Sequence, residues 1–324
     1  MSEPKNSDIV PRSGLLSHLI RLLIVLLLGI WMSQQFDLKA LPKDLFEHGV
    51  SVLIVAVLGG MNLGIAAVRW RFLMTGFNAN ALPPSSMLFR LNLVGHFYNI
   101  FVPGAVGGDL ARAHIAGICF GSKSESYFVV VAERMLGLGA LGIFFAVGLI
   151  FGQGSIMVEA AGLWVVGLSS LVICVLAVGL LGRRLTRWWR SAPTLTQPMY
   201  VLYATVLSLF THSVTIIGFW ILTRSMNLDV TLLDLTVIVP VALVASVVPL
   251  AIAGVGPREV ALVALIPLLN LGTEEQALLL SVGFAASNWV LGGCGGLLQL
   301  MIGRQAFDID GPWQGDAVER SDHI

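Results

Sequence analysis

Two short segments of the chain combine proline, glycine and arginine in the same order. VPGAVGGDLAR (102–112) and VPLAIAGVGPR (248–258) each place a glycine five residues after the proline and an arginine nine residues after it. A glycine-rich turn at the start of a helix can bind an anion through backbone N–H groups, and a planar guanidinium suits phosphate. The segments therefore predict an anion site. Its candidate residues are Pro103, Gly107, Gly108, Asp109 and Arg112 in the first segment and Gly254, Gly256, Arg258 and Glu259 in the second.

Each arginine also has a structural alternative. Arg112 could pair with Asp109 one turn earlier in the same helix and only stabilise the turn. Glu259 could neutralise Arg258 or take up a proton. Neither alternative excludes anion binding. The glycines do not form a nucleotide-binding motif, because no strand precedes them.

A further candidate is the adjacent pair Glu133 and Arg134 inside the apolar stretch VVVAERMLG. Charged residues at membrane depth are rare and generally face a cavity or the interior of a helix bundle. Neighbouring residues on a helix point about 100° apart, so each predicts a partner elsewhere. We expect Arg112 for Glu133, and Asp109 or Glu259 for Arg134. The alternative is a pair at the membrane interface that extends to the cytoplasmic surface.

Polar residues also line one face of the helix that precedes the first segment. Asn92, His96 and Asn99 follow at spacings of four and three residues, which places them on the same side. They could line a polar path beside Arg112. Amide and imidazole groups in membranes serve equally often as hydrogen bonds between helices, and the same alternatives apply to His212 and Asn288.

The composition is typical of a membrane protein. Of the 324 residues, 56% are hydrophobic and 12% are charged, about half the usual charged fraction of soluble domains. Lysine plus arginine and aspartate plus glutamate each number 19, which leaves no excess basic charge for nucleic-acid binding. The three cysteines lie far apart without metal-ligand spacing. We therefore predict no metal, no other cofactor and no nucleic-acid partner.

Apolar windows of bilayer-crossing length predict six membrane spans, at 14–33, 47–68, 127–151, 161–181, 199–222 and 274–302. Two further apolar regions, 85–121 and 232–272, are interrupted by proline and glycine and are predicted to be re-entrant helical hairpins. The resulting domain organisation is a cytoplasmic N-terminal segment at 1–13, a single transmembrane domain at 14–302 and a disordered cytoplasmic tail at 303–324.

The positions of lysine and arginine predict the orientation, because basic residues in short loops stay in the cytoplasm. Arg69 and Arg71 follow the second predicted span, and a basic segment at 183–190 follows the fourth. We therefore expect an integral protein of the bacterial cytoplasmic membrane with both termini in the cytoplasm.

The two Pro-Gly-Arg segments also indicate an internal repeat. The same offset of 146 residues separates Pro103 from Pro249 and Arg112 from Arg258, and it relates the first three predicted spans to the last three. The predicted fold class is an all-α polytopic membrane protein with repeats at about 14–151 and 161–302. Each repeat contains two spans, a broken re-entrant hairpin and one span. Three crossings in each half give the halves opposite orientations, as in many secondary transporters.

The segments NLVGHFYNIFVPGAVGGDLARAHIA (92–116) and PLAIAGVGPREVALVAL (249–265), with the Glu133–Arg134 pair between them, resemble hallmark sequences of the lysylphosphatidylglycerol synthase transmembrane family, also called flippase-like integral membrane proteins. The resemblance implies a lipid flippase whose site adds Asn99, Glu133 and Arg134 to the residues of the two Pro-Gly-Arg segments. Larger members join this membrane unit to a soluble aminoacyl-transfer domain. Only 22 residues follow Ile302, so the resemblance implies a stand-alone translocator.

The leading hypothesis is a flippase that moves an anionic or phosphate-bearing lipid, with Arg112 and Arg258 at its headgroup. Its expected partners are membrane lipids with anionic headgroups. One alternative is a membrane enzyme that uses Glu133, His96 or Glu259 as acid or base, although the sequence offers no nucleophile or metal. Others are a non-transporting partner of lipid-synthesis enzymes and a transporter of small organic anions. The sequence does not specify the lipid or the oligomeric state.

Overall fold

The computed structural model describes residues 47–80, 82–101, 108, 112–113, 117, 123–152, 195–246 and 256–302. These ranges contain helices and no strand, which confirms the predicted all-α class. The helices are α1 (Gly49–Gly76), α2 (Ser85–Phe101), α3 (Lys123–Phe151), α4 (Pro198–Ser225), α5 (Leu232–Ala245), α6 (Pro257–Leu268) and α7 (Glu274–Ile302).

Four of the described helices are long and apolar enough to cross a membrane. They are α1, residues Tyr127–Phe151 of α3, α4, and residues Glu274–Met301 of α7. They correspond to the predicted spans at 47–68, 127–151, 199–222 and 274–302, as expected of an integral membrane protein. Several predictions lie outside the described residues: the spans at 14–33 and 161–181, the hairpin centres at 102–107 and 247–255, and the terminal segments at 1–13 and 303–324.

Helix α1 continues two turns beyond its predicted end at residue 68. The sequence places Arg69 and Arg71 in a cytoplasmic loop, and this prediction is wrong, because both residues lie inside α1, which ends at Gly76. A charged residue can remain in an apolar helix when it faces the bundle interior and has a partner there. Arg69 has such a partner in Glu133 of α3.

Helices α1 and α4 share a length and a C-terminal ending. Each has 28 residues. Two residues after its end, each is followed by an asparagine in the left-handed conformation, Asn78 with a φ of 55° and Asn227 with a φ of 53°. Asparagine adopts positive φ more readily than most other residues. Helices α3 and α7 likewise both have 29 residues, whereas α2 has 17 residues and α5 has 14.

The helix starts around the second hairpin follow local sequence signals. Thr231 precedes α5, and its hydroxyl accepts the backbone N–H of Asp234 over 3.2 Å. The Asp234 carboxylate in turn accepts the Thr231 N–H over 2.8 Å, which completes a capping box. Helix α6 begins with Pro257 at its first position, where the missing N–H of proline costs nothing.

Helices α1 and α4 pack against each other in antiparallel orientation. Asn62 on α1 donates to Thr215 on α4 over 3.1 Å. Two turns further along α1, Arg69 donates to Ser208, which lies two turns earlier on α4. Because the residue numbers run in opposite directions along the interface, the two candidate spans point in opposite directions.

Several of the other helix contacts come in matched pairs. If α1, α2 and α3 are exchanged with α4, α5 and α7, the α2–α7 contact becomes the α5–α3 contact, and α1–α2 becomes α4–α5. The α1–α7 and α3–α4 contacts are exchanged in the same way, as are α4–α7 and α1–α3. The contacts of α6 with α5 and α7 have no counterpart among the described helices.

Two glycines allow close helix approach at two of these contacts, α2–α7 and α3–α5. A Cβ atom added to Gly295 on α7 would lie far inside van der Waals contact with the carbonyl oxygen of Leu93 on α2. A Cβ atom added to Gly148 on α3 would overlap Thr236 and Val237 on α5 in the same way. Small residues at such crossings let helix backbones approach closely in membranes.

We expect Gly295→Ala to destabilise the protein by about 1–3 kcal/mol, because the new methyl group must push α2 away from α7. Gly293 lies on the same helix, and a Cβ atom added there meets no atom within 4 Å. Gly293→Ala is therefore the matched control and should leave stability close to that of the wild type. Thermal unfolding of the purified protein in detergent measures both changes. Equal effects at the two positions would contradict the close packing of α2 and α7.

Candidate functional site

The first arginine cluster consists of Arg69, Trp70, Arg112, Glu133 and Ser208. Glu133 on α3 accepts hydrogen bonds from both arginines: Arg69 Nη2 donates to Oε1 over 2.7 Å, and Arg112 Nη2 donates to Oε2. Arg69 Nη1 also donates to Ser208 Oγ on α4 over 3.1 Å. The observed pairing of Arg112 with Glu133 is the one predicted from the sequence.

The first arginine cluster is buried and has an excess of positive charge. The side chains of Arg69, Arg112 and Glu133 are 12%, 14% and 4% exposed. Two guanidinium groups share one carboxylate, so these three described groups have a net positive charge at neutral pH. The Arg112 guanidinium also lies 4.7 Å from the centroid of the Trp70 ring, within the range of a cation–π interaction.

Two hydrogen-bond donors of this cluster have no acceptor among the described residues. They are Arg69 Nε and Trp70 Nε1, and both atoms are buried. Neither nitrogen can accept a hydrogen bond, so only an acceptor can satisfy it. A buried polar group without a partner costs about 1–3 kcal/mol. The cluster therefore favours a guest that supplies oxygen atoms, such as an anion or a water molecule.

A tight backbone contact places the segment that contains Arg112. Gly108 N donates to Asn99 Oδ1 on α2 over 2.8 Å, and a Cβ atom added to Gly108 would overlap the carbonyl oxygen of Gly95. Only glycine permits this approach. The contact explains the requirement for glycine at position 108. Asn99 contributes by fixing the backbone, and its predicted contact with substrate stays a prediction.

The second arginine cluster consists of Gly256, Arg258, Glu259 and Phe284. Arg258 Nε donates to Glu259 Oε1 over 2.7 Å, and its Nη2 donates to the same oxygen. The guanidinium lies 4.7 Å from the centroid of the Phe284 ring on α7. The side chains of Arg258 and Glu259 are 13% and 10% exposed. Arg258 thus resembles Arg112: each is buried, bound to a carboxylate and close to an aromatic ring.

The Glu259 carboxylate also stabilises the start of α6. Its Oε2 accepts the backbone N–H of Gly256 over 2.7 Å, as expected of an acidic side chain at the third helical position. The predicted neutralisation of Arg258 by Glu259 is therefore observed. The residue 146 positions before Glu259 is Ala113, so the first half takes its acid from α3 instead.

His96 is on α2, which packs against α7. Its Nε2 atom is buried and has no hydrogen-bond partner among the described residues. Asn92, on the same face of α2, instead donates to the carbonyl of Leu63 on α1 over 3.1 Å.

The other polar residues of interest make structural contacts. His212 Nε2 lies 3.1 Å from the carbonyl oxygen of Gly137, which links α4 to α3. Asn288 Nδ2 donates to the carbonyl of Phe284 on its own helix over 2.8 Å. Among the described residues, no group of three or more His, Cys, Asp or Glu side chains is positioned to hold a metal ion.

The structure separates the adjacent pair on α3. Glu133 is buried in the first arginine cluster, whereas Arg134 is exposed. The clusters also contain four residues that were not predicted as site residues from the sequence: Arg69, Trp70, Ser208 and Phe284. One sequence signal could have found the first of them, because Arg69 is an arginine inside the apolar stretch of α1. The remaining predicted site residues, Pro103, Gly107, Asp109 and Gly254, lie outside the described part of the chain.

Comparison with protein families identifies the family of the chain. A family model described as the lysylphosphatidylglycerol synthase TM region matches residues 18–296, most of the chain. The chain belongs to this family. The resemblance predicted from segments 92–116 and 249–265 is thereby confirmed. The part that matches the lysylphosphatidylglycerol synthase transmembrane family contains both arginine clusters.

The remaining comparisons add no relatives to this family assignment. No curated protein and no solved structure gives a significant match to the chain. The assignment to the lysylphosphatidylglycerol synthase transmembrane family establishes a membrane protein associated with lipids. The arginine clusters then indicate which lipid chemistry to consider.

Proposed function

We propose that the protein is a flippase that moves an anionic or phosphate-bearing lipid, a phospholipid or an isoprenoid lipid, between the leaflets of the membrane. The observation that supports this most strongly is the buried positive charge of the first arginine cluster with its two unsatisfied donors. Phosphate oxygens accept charge-assisted hydrogen bonds from guanidinium groups. A headgroup phosphate would satisfy Arg69 Nε and Trp70 Nε1, while its chains stay in the bilayer.

In this proposal the two carboxylates hold the arginines in place until a headgroup arrives. Glu133 binds Arg112, and Glu259 binds Arg258. A phosphate would replace part of these contacts, so each guanidinium group stays paired with an anion inside the protein. The displaced carboxylates keep other contacts, because Glu133 still accepts from Arg69 and Glu259 still accepts the Gly256 N–H. A buried ion without any partner would cost several kcal/mol.

We also propose that the two halves form inverted repeats with re-entrant hairpins. Support comes from the antiparallel packing of α1 against α4, from the matched helix contacts, and from the equal lengths of α1 and α4 and of α3 and α7. In transporters with inverted repeats, the substrate site lies near the membrane centre, and rocking of one half against the other opens it to each side. Arg112 and Arg258 occupy corresponding positions in the two repeats.

We place this activity in the bacterial cytoplasmic membrane, with both termini in the cytoplasm, and assign it no chemical change of the lipid. The test is reconstitution into vesicles with acyl-labelled phosphatidylglycerol, labelled polyprenyl phosphate or labelled phosphatidylcholine. A membrane-impermeant reductant then measures, over time, the fraction of the probe that lies in the outer leaflet. We expect at least one anionic probe to change leaflet faster than in protein-free vesicles, and phosphatidylcholine to move at the protein-free rate.

Two outcomes would contradict the proposal. If neither anionic probe changes leaflet faster than in protein-free vesicles, the flippase proposal is rejected. Recovery of a chemically altered probe, without a change of leaflet, would instead favour the membrane-enzyme alternative. Mass spectrometry of the extracted probe separates the second outcome from the first.

A further inference from the structure

The first arginine cluster contacts the N-terminal half of α4. Arg69 Nη1 donates to Ser208 Oγ on α4 over 3.1 Å. Glu133 accepts from this same Arg69 with one carboxylate oxygen and from Arg112 with the other. These contacts hold the Arg112 guanidinium at the level of Ser208 along the axis of α4.

The second arginine cluster lies beside the C-terminal half of the same helix. The Arg258 guanidinium is 4.7 Å from the centroid of the Phe284 ring on α7. That ring stacks on the ring of Phe219 on α4, with 4.1 Å between the two centroids. Phe219 is fully buried, so the stacked rings hold the second cluster at the level of Phe219 along α4.

Helix geometry gives the distance between the two levels. Ser208 and Phe219 are eleven residues apart on α4, which is about 16 Å at a rise of about 1.5 Å per residue. Helix α1 gives the same separation, because a Cβ atom added to Gly218 would lie 4.0 Å from Leu58 Cδ1, and Leu58 is eleven residues before Arg69. A hydrogen bond joins atoms about 3 Å apart, so one phosphate group cannot contact both clusters.

The separation is mainly a difference in membrane depth. Both α1 and α4 are long and apolar enough to cross a bilayer, and transmembrane helices are tilted by about 20° on average. The hydrocarbon core is about 30 Å thick, so levels about 16 Å apart lie at clearly different depths. The first cluster is nearer the membrane face where α1 ends and α4 begins, and the second is nearer the opposite face.

Polar side chains line the interval between the two levels. Asn62 on α1 donates to Thr215 on α4 over 3.1 Å, and His212 Nε2 on α4 lies 3.1 Å from a backbone carbonyl oxygen of α3. Asn62 Oδ1 and His212 Nδ1 are buried and have no hydrogen-bond partner among the described residues. Water commonly satisfies such buried polar atoms. The interval therefore offers polar contacts to a headgroup that moves between the clusters.

We propose that the two arginine clusters are two separate headgroup sites at different membrane depths, each binding the phosphate of one anionic lipid. A translocated headgroup passes from one site to the other along the polar interval. The passage rests on the proposed flippase function, whereas the presence of two sites does not depend on it. Inverted repeats are related by an axis in the membrane plane, which places corresponding residues at opposite depths.

Photo-crosslinking distinguishes two sites from one. The probe is a phosphatidylglycerol analogue with a photoreactive diazirine in its headgroup, incorporated with the full-length protein into lipid nanodiscs. Peptide mass spectrometry then locates the labelled residues. We expect two separate sets of labelled residues in the wild type, one on α1 near Trp70 and one on α7 near Phe284.

Single substitutions test whether the two sites are independent. Arg112→Gln should reduce labelling near Trp70 about tenfold, the lower end of the range for a hydrogen bond to a charged group. Labelling near Phe284 should change by less than about twofold in this variant, and Arg258→Gln should give the reverse pattern. Arg90→Gln is the matched control, because Arg90 is an exposed arginine on α2 outside both clusters. It should retain both sets.

Two outcomes would overturn the inference. One is a single set of labelled residues in the wild type. The other is the loss of both sets in either folded single variant while Arg90→Gln retains them, because a shared site loses all its labelling at once. Arg112→Lys and Arg258→Lys keep the positive charge and provide the same comparison if a glutamine variant does not fold.

The leaflet assay in vesicles keeps this inference separable from the flippase proposal. Two independently lost sets without any change of leaflet would support two headgroup sites and reject the flippase proposal. Translocation by a protein that shows one set would support the flippase proposal and reject the second site.

Discussion

Replacing Glu133 with leucine is expected to lower the free energy of unfolding by about 3–5 kcal/mol, the usual cost of removing one partner from a buried ion pair. Glu133 is the carboxylate bound by both Arg69 and Arg112, and all three side chains are largely buried. Without it, two guanidinium groups would remain at close range in the protein interior. Thermal or denaturant unfolding of the purified protein in detergent measures the loss.

Glu275→Leu is the matched control for this experiment. Glu275 lies in the first turn of α7 and is exposed, so its removal should change stability by no more than about 0.5 kcal/mol. A second comparison tests the mechanism. Adding Arg69→Met to Glu133→Leu removes one of the two neighbouring positive charges, so the double variant should be more stable than Glu133→Leu alone. A Glu133→Leu protein as stable as the wild type would contradict the buried ion-pair network.

Replacing Arg112 or Arg258 with glutamine is expected to slow translocation of an anionic lipid by about 10- to 100-fold, the range of one hydrogen bond to a charged group. Glutamine keeps some polarity but loses the charge, the forked donor geometry and the contact with Trp70 or Phe284. In Arg112→Gln, Glu133 still has Arg69 as its partner, so the protein should fold. Initial rates in reconstituted vesicles provide the measurement.

The control is Arg90→Gln, because Arg90 is an exposed arginine on α2 outside both clusters. It should translocate at the wild-type rate. Arg112→Lys separates charge from geometry: it keeps the positive charge but loses the planar group over Trp70, so its rate should fall between wild type and Arg112→Gln. Wild-type rates in both Arg112→Gln and Arg258→Gln would remove these residues from the substrate site.

The helices could be predicted from the sequence because membrane spans are set by apolar length. The span predicted at 274–302 coincides with α7, and that at 199–222 lies within α4 (Pro198–Ser225). The exception is α1, whose last two turns were predicted as a loop. Arg69 has the charge of a loop residue, and its tertiary contacts with Glu133 and Ser208 stabilise it inside the helix bundle.

Site residues could be predicted where a charged side chain at membrane depth requires an oppositely charged partner. They could not be predicted where the packing of two helices determines which side chains meet. Glu133 required a cation, and Arg112 was the one expected. Trp70 and Ser208 gave no comparable signal, because a tryptophan near a helix end and a serine in an apolar helix are ordinary in membrane proteins. Their roles depend on how α1 packs against α4.

The polar face of α2 shows the same limit at the level of single residues. The spacing correctly predicted that Asn92, His96 and Asn99 share one side of the helix, but not what each contacts. Asn92 bonds to α1 and Asn99 bonds to Gly108, which are the structural uses. His96 Nε2 is instead buried without a hydrogen-bond partner among the described residues. Helical periodicity specifies direction, and the neighbouring helices specify the partner.

In the proposed function, Arg112 and Arg258 hold the phosphate of a lipid headgroup inside the protein. Native mass spectrometry of the purified wild type and of the Arg112→Gln/Arg258→Gln double variant, each released from detergent under matched conditions, tests it most directly. We predict that the wild type retains anionic lipid and that the double variant loses it. Equal retention of anionic lipid by both proteins, or retention of zwitterionic lipid alone by the wild type, would contradict the claim.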